Sequence, residues 1–187
     1  MTILTLPDPY WQNPDQTADL SLWAAALSEQ GDPRGPYVEM CLAGASPDER
    51  MAVQKKLGGK LVGPARPYLR EWNFGSHGIV DEARCEAVKL ADGIGEIRRV
   101  HPRLMLTVTS LKKKKVIDQL AQTSLKGIHW VDFTGLMGSH GGSNISSKAM
   151  IALAPAFAGV RNLSLSCKGY LKECFSPDAL GTLGDHV

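Results

Sequence analysis

Apolar positions in the first third of the chain recur at helical spacing. Leu20, Trp23, Ala24 and Leu27 stand at i, i+3, i+4 and i+7, which aligns them on one face of an α-helix. Gly31 can take the positive φ of a helix C-terminus and Pro33 cannot continue the hydrogen-bond ladder, so the first helix ends there. Pro36 suits the first turn of a second helix with Tyr37, Met40 and Cys41 on its inner side. Ser46-Pro47-Asp48-Glu49 reads as a third helix start, with a capping serine, a proline at the first helical position and a glutamate able to reach back to the cap. Val53, Leu57 and Leu61 supply its apolar stripe. Pro64, Pro67, Tyr68, Leu69 and Trp72 read as a last short helical stretch, ending this region near Gly75.

From Gly78 onward, short strand-like segments alternate with helix-like ones. Four strand segments align on an apolar pair two residues apart: Val80 to Cys85, Arg103 to Val108, Ile128 to Phe133 and Val160 to Leu165. Their register residues Ala83, Leu106, Val131 and Leu163 are spaced by 23, 25 and 32 positions. The first two spacings fall within the roughly 20 to 29 residues of a leucine-rich repeat, and the Gly-rich stretch Gly135 to Ser147 reads as an insertion that lengthens the third. The helices between them are Ala87 to Arg99 with Leu90, Ile94 and Ile97, Val116 to Gln122 with Ile117 and Leu120, and Ser147 to Ala158 with Met150, Ile151 and Leu153. A single strand–turn–helix unit cannot bury both its faces, so neighbours must stack. The expected fold is α/β: a helical N-terminal module over 1–75, then a short leucine-rich-repeat-like solenoid over 76–187 with a curved parallel sheet and helices on its convex side.

In such an array the residues between the buried strand positions point outward from the concave face. They include Asp81, Glu82, Arg84, Met105 and Thr107, and then the cluster His129, Trp130, Asp132, Arg161, Asn162 and Ser164, which is the candidate binding site. A tryptophan flanked by histidine, aspartate and arginine has the composition of a protein-interaction centre, because Trp and Arg are enriched among interface hot spots. The same Trp130 could instead cover core at a strand edge. At the C-terminus, Ser176-Pro177-Asp178 starts a helix carrying Leu180 and Leu183, and the chain stops at Val187. Either Tyr170 to Phe175 and this helix cap the last strand, or the array self-associates through Leu163 to Leu183, or the chain is a shortened form of a longer array.

Two resemblances follow from these residues. Asn13-Pro14-Asp15, the Leu20-to-Leu27 helix and the run Glu29-Gln30-Gly31-Asp32-Pro33-Arg34-Gly35-Pro36-Tyr37-Val38 resemble the repeat-companion domain of myxobacteria and planctomycetes, over roughly residues 13–110. That family carries Asp and Trp within the segment matched here by Trp23-Ala24-Ala25-Ala26-Leu27, so both are replaced by alanine. The resemblance implies a module that precedes leucine-rich repeats and has no assigned catalytic activity. The strand–helix units resemble ribonuclease-inhibitor-type leucine-rich repeats, without the asparagine that usually ends the motif. For Asp32 and Arg34 two readings stand: a turn between helices that needs its Asp, Pro and Gly for geometry alone, or an ion pair that docks a partner.

Composition narrows the function classes. The chain has 187 residues, 43% hydrophobic and 21% charged, with 21 Lys and Arg against 19 Asp and Glu, so no strong field recruits nucleic acid or anionic lipid. The first ten residues lack a basic segment followed by an apolar run, and no stretch has the roughly 18 to 20 apolar residues of a membrane span, so a cytoplasmic address is expected. Cys41, Cys85, Cys167 and Cys174 have no paired spacing and read as reduced thiols. Gly138-Ser139-His140-Gly141-Gly142 lacks the Lys and Ser or Thr of a phosphate loop, and Asp92-Gly93-Ile94-Gly95-Glu96 opens no strand-to-helix turn. The Lys112 to Lys115 run reads as a solvated helix start. His77, His101, His129, His140 and His186 lack metal-ligand spacing. The expectation is a non-catalytic protein-binding module, with no catalytic residues, no metal and no cofactor, and a structural protein assembling through its open end as the alternative.

Overall fold

The computed structural model describes residues 17–100, 104–109, 114–126, 128, 130–133, 147–158, 160 and 162–164. Among these residues the chain forms six α-helices and a five-stranded sheet. The first three helices are α1 (Ala18–Glu29), α2 (Arg34–Leu42) and α3 (Pro47–Leu57), followed by a 3-10 segment, Gly58–Ala65. Strands β1 (Glu71–Phe74) and β2 (Val80–Glu86) come next. Then α4 (Ala87–Val100), β3 (Met105–Thr109), α5 (Lys114–Ala121), β4 (Trp130–Asp132), α6 (Ser147–Leu153) and β5 (Asn162–Ser164) alternate, with a 3-10 turn at Ala154–Phe157.

The local signals in the helical region act as chemistry requires. Leu20, Trp23, Ala24 and Leu27 are all buried on α1. Gly31 has φ +70° and closes the helix, and α3 opens on a capping box in which Ser46 Oγ accepts from the Glu49 amide while Glu49 Oε2 accepts from the Ser46 amide at 2.8 Å. Helices α1 and α2 lie so close that a Cβ on Gly35 would stand 2.5 Å from the Ala24 carbonyl oxygen and the Ser28 amide, so only glycine fits there. Between them, Asp32 accepts from the Arg34 amide at 3.0 Å and from its guanidinium, the shortest contact being Nη2 to Oδ2 at 2.6 Å. Burial alone would push the Asp32 carboxyl up. The Arg34 side-chain and amide hydrogen bonds and its positive charge outweigh that and hold the pKa below the usual value.

The sheet runs in sequence order β1-β2-β3-β4-β5. The strands β2 to β5 pair in parallel, and Ala83, Leu106, Val131 and Leu163 stand opposite one another across them. This row faces α4, α5 and α6, which contribute Leu90, Ile97, Leu120 and Met150 to one core with Val108, Phe133 and Phe157. Cys85 lies in that core, and burial first, then the charge of Glu86, pushes its thiol up to about 12, so it stays protonated at neutral pH.

Three features depart from the pattern expected of the sequence. The stretch ending at Trp72 is not helical throughout: Glu71–Phe74 is a strand, paired antiparallel with β2. Ile151, expected in the core with Met150 and Leu153, is exposed on α6, because the turn of helix that buries Met150, Leu153 and Ala154 points Ile151 the other way. The sheet is not curled. Curvature in stacked units accumulates through a small rotation per unit, and four parallel strands supply only three such steps. Position 75 falls in the turn between β1 and β2, where the Gly75 amide donates to the Ile79 carbonyl at 2.8 Å. Val62, Ala65 and Leu69 share the hydrophobic cluster that contains the sheet's inner row.

Candidate binding face of the sheet

Because side chains alternate along a strand, the face opposite the helices displays two rows. The registers place Asn73, Glu82, Met105, Trp130 and Asn162 in one and Glu71, Arg84, Thr107, Asp132 and Ser164 in the other. Trp130 is 36% exposed, so its ring lies on this face and is not core. Its indole nitrogen donates to Ser164 Oγ at 2.8 Å, a diagonal cross-strand contact that fixes the ring against β5. Arg84 pairs with Glu71 at 3.1 Å, and the Asn73 amide donates to Glu82 at 3.2 Å. Glu71, Asn73, Glu82, Arg84, Met105 and Thr107 line a shallow depression of about 280 Å³. The arrangement presents an anchored aromatic ring, a methionine directly across from it and a mixed polar border, which is suited to covering another surface.

Of the six candidate residues, the structure brings Trp130, Asp132, Asn162 and Ser164 together on one face. His129 and Arg161 lie outside the described residues, as do the Gly135-to-Ser147 stretch up to its last residue and, beyond Ser164, the Leu163-to-Leu183 segment through which self-association is one alternative. Asp32 and Arg34 belong to the helix junction, where the arginine is buried. The Asp92-to-Glu96 run lies inside α4.

Sequence reasoning missed Glu71 and Asn73, which widen the face by one strand. The signal was present in the alternation Glu71-Trp72-Asn73-Phe74, polar and aromatic in turn, with the aromatics half-buried on the inner side. Among the described residues no group of three His, Cys, Asp or Glu side chains is placed to hold a metal ion, and no helix is long and apolar enough to cross a membrane. No family model, curated protein or solved structure matches the chain.

Proposed function

We propose that this chain is a non-catalytic binding module that receives a protein partner on the open face of its sheet. The observation that carries the reading is Trp130, a large aromatic side chain on β4 held by Ser164 of β5, with Met105 beside it on the central strand β3. Tryptophan covers much area with few rotatable bonds, and methionine adapts to the shape it meets, so the pair suits the centre of an interface. We read the strand–helix units as a short leucine-rich-repeat-like array behind a repeat-companion-like helical module. Support comes from the single register shared by Ala83, Leu106, Val131 and Leu163, and from the Gly-Asp-Pro-Arg-Gly junction at Gly31 to Gly35, where Arg34 and Gly35 are buried. Buried free thiols at Cys41 and Cys85 fit a reducing cytoplasmic setting, and the near-balanced charge fits a protein partner better than nucleic acid or a membrane surface.

The test compares the immobilised wild-type chain with a Trp130→Ser/Met105→Ser variant in capture from extract of the source cells. Proteins enriched by the wild type should be lost with the double variant and kept by Leu22→Ser, a change at an exposed position on α1. Partners retained in full by the double variant would overturn the reading.

A further inference from the structure

A second depression, of about 410 Å³, lies away from the sheet's open rows, where the segment after the 3-10 helix meets the end of β2 and the first turn of α4. Three cations line it, Arg66, Arg70 and Lys89, against a single carboxylate, Glu86. Arg70 and Glu86 are joined at 3.3 Å. Among the described residues, neither Arg66 nor Lys89 meets a carboxylate at salt-bridge distance.

The walls are built rather than loose. The Arg66 guanidinium lies over the Trp72 ring, 4.8 Å from its centroid, which orients the planar fork. Tyr68 is seated on α4 so tightly that a Cβ on Gly93 would come within 2.1 Å of its ring, so glycine is required there. Lys89 precedes Gly93 by four residues and therefore stands on the same side of α4 as the seated tyrosine. The Arg70 amide donates to the Arg84 carbonyl at 2.8 Å, tying the other end of the segment to β2.

Lys89 also sits in the first turn of a 14-residue helix that has no acidic residue in that turn. A cation is unfavourable there, because the helix dipole places partial positive charge at its N-terminus. An anion bound beside it would relieve both charges. We infer that this depression binds a phosphate monoester on a small organic body, with Arg66 and Lys89 holding the phosphate and Tyr68 with Pro67 covering the body. The excess of two positive charges in the lining matches a group that carries about −1.5 to −2 at neutral pH, and the volume falls in the range of small-molecule sites.

Calorimetric titration of the full chain with phenyl phosphate tests this. Lys89→Gln, at an exposed position, should weaken binding about tenfold, since it removes one charge-assisted contact. Glu86→Gln should tighten it by about threefold or more by removing the competing carboxylate and releasing Arg70, an outcome that misfolding cannot imitate. Lys148→Gln on α6 should change nothing. Binding should also fall below about pH 6, where the phosphate loses its second charge. Absence of binding at millimolar phenyl phosphate, or equal affinity in the Lys89 and Glu86 variants, overturns the inference. Retention on vesicles containing phosphorylated inositol lipids without phenyl phosphate binding overturns it in favour of a membrane surface. Loss of phenyl phosphate binding leaves partner capture through Trp130 intact, so the two readings fail separately.

Discussion

The helical region and the sheet each contain an arginine–carboxylate pair, and the two pairs are used differently. Arg34 and Asp32 meet at 2.6 Å with side chains only 7% and 11% exposed, and Arg34 also lies 5.8 Å from the centroid of the Trp23 ring. Arg34 Nη1 is buried without a hydrogen-bond partner against the Gly63 backbone, where a Cβ would come within 2.7 Å. Arg84 and Glu71 meet at 3.1 Å with side chains 60% and 62% exposed. In the helical region a few directional contacts between sequence neighbours shape the turn between two helices whose apolar residues pack in one cluster. The sheet relies on an apolar row for its order, and the Arg84–Glu71 pair on its open face stays in solvent.

The difference is broken most severely in the apolar row. Leu106 is fully buried between Ala83 and Val131, and Leu106→Ala should cost about 4 kcal/mol in chemical denaturation, the sum of lost transfer energy and a cavity. Leu163, only half-buried at the end of the same row, should lose less than half as much on truncation. Equal losses at the two positions would mean that the row is not the organising element of the sheet.

Next in size is the buried pair. Asp32→Ala strands a buried guanidinium and should cost about 3 kcal/mol. The pH dependence has a definite sign. The Asp32 pKa is lower in the folded chain than in the unfolded one, so its contribution is fully present above about pH 4 and fades as the pH falls through the folded value. The wild type should therefore lose stability on acidification more steeply than Asp32→Ala, as followed by denaturant midpoints at successive pH values.

What could be read in advance follows the same division. Helix α1, the turn at Gly31 and the capping box at Ser46 are written in adjacent residues, and each forms as its local chemistry requires. The register of four parallel strands was also legible, because the alternation around Ala83, Leu106, Val131 and Leu163 repeats at similar spacing. Strand β1 was not, since Pro64 and Pro67 suggested a helix start and a four-residue alternation is short against that signal. The Asp92-to-Glu96 run fits no cofactor motif, and nothing near Gly93 in the sequence explains it: its requirement comes from Tyr68, distant in sequence and pressed against α4. The cationic depression was invisible for that reason: Arg66, Arg70 and Lys89 converge only through the hairpin and the tyrosine contact.

A smaller effect is expected at the helix start. Ser46→Ala removes the acceptor for the Glu49 amide on an exposed turn and should cost about 1 kcal/mol by thermal or chemical unfolding. Replacement by Asp should restore most of it, because a carboxylate accepts the same hydrogen bond and favours a helix N-terminus.

The smallest effect sharpens the comparison furthest. Arg84→Gln removes the cation of the exposed pair on the sheet's open face. Water screens both partners, and ordering two long side chains offsets much of the attraction, so the change should lie within about 0.5 kcal/mol of wild type and shrink further in salt. Glu71 remains exposed after the substitution, whereas Arg34 left without Asp32 is a buried cation without its carboxylate. The same Arg84→Gln chain should nevertheless change its capture of partners through the Trp130 face, since Arg84 lies in the adjacent row beside Glu82 and Thr107. A stability loss near that of Asp32→Ala would show that the face belongs to the scaffold, and would remove the division between a buried ion pair that shapes a helix junction and an exposed one that leaves stability almost untouched.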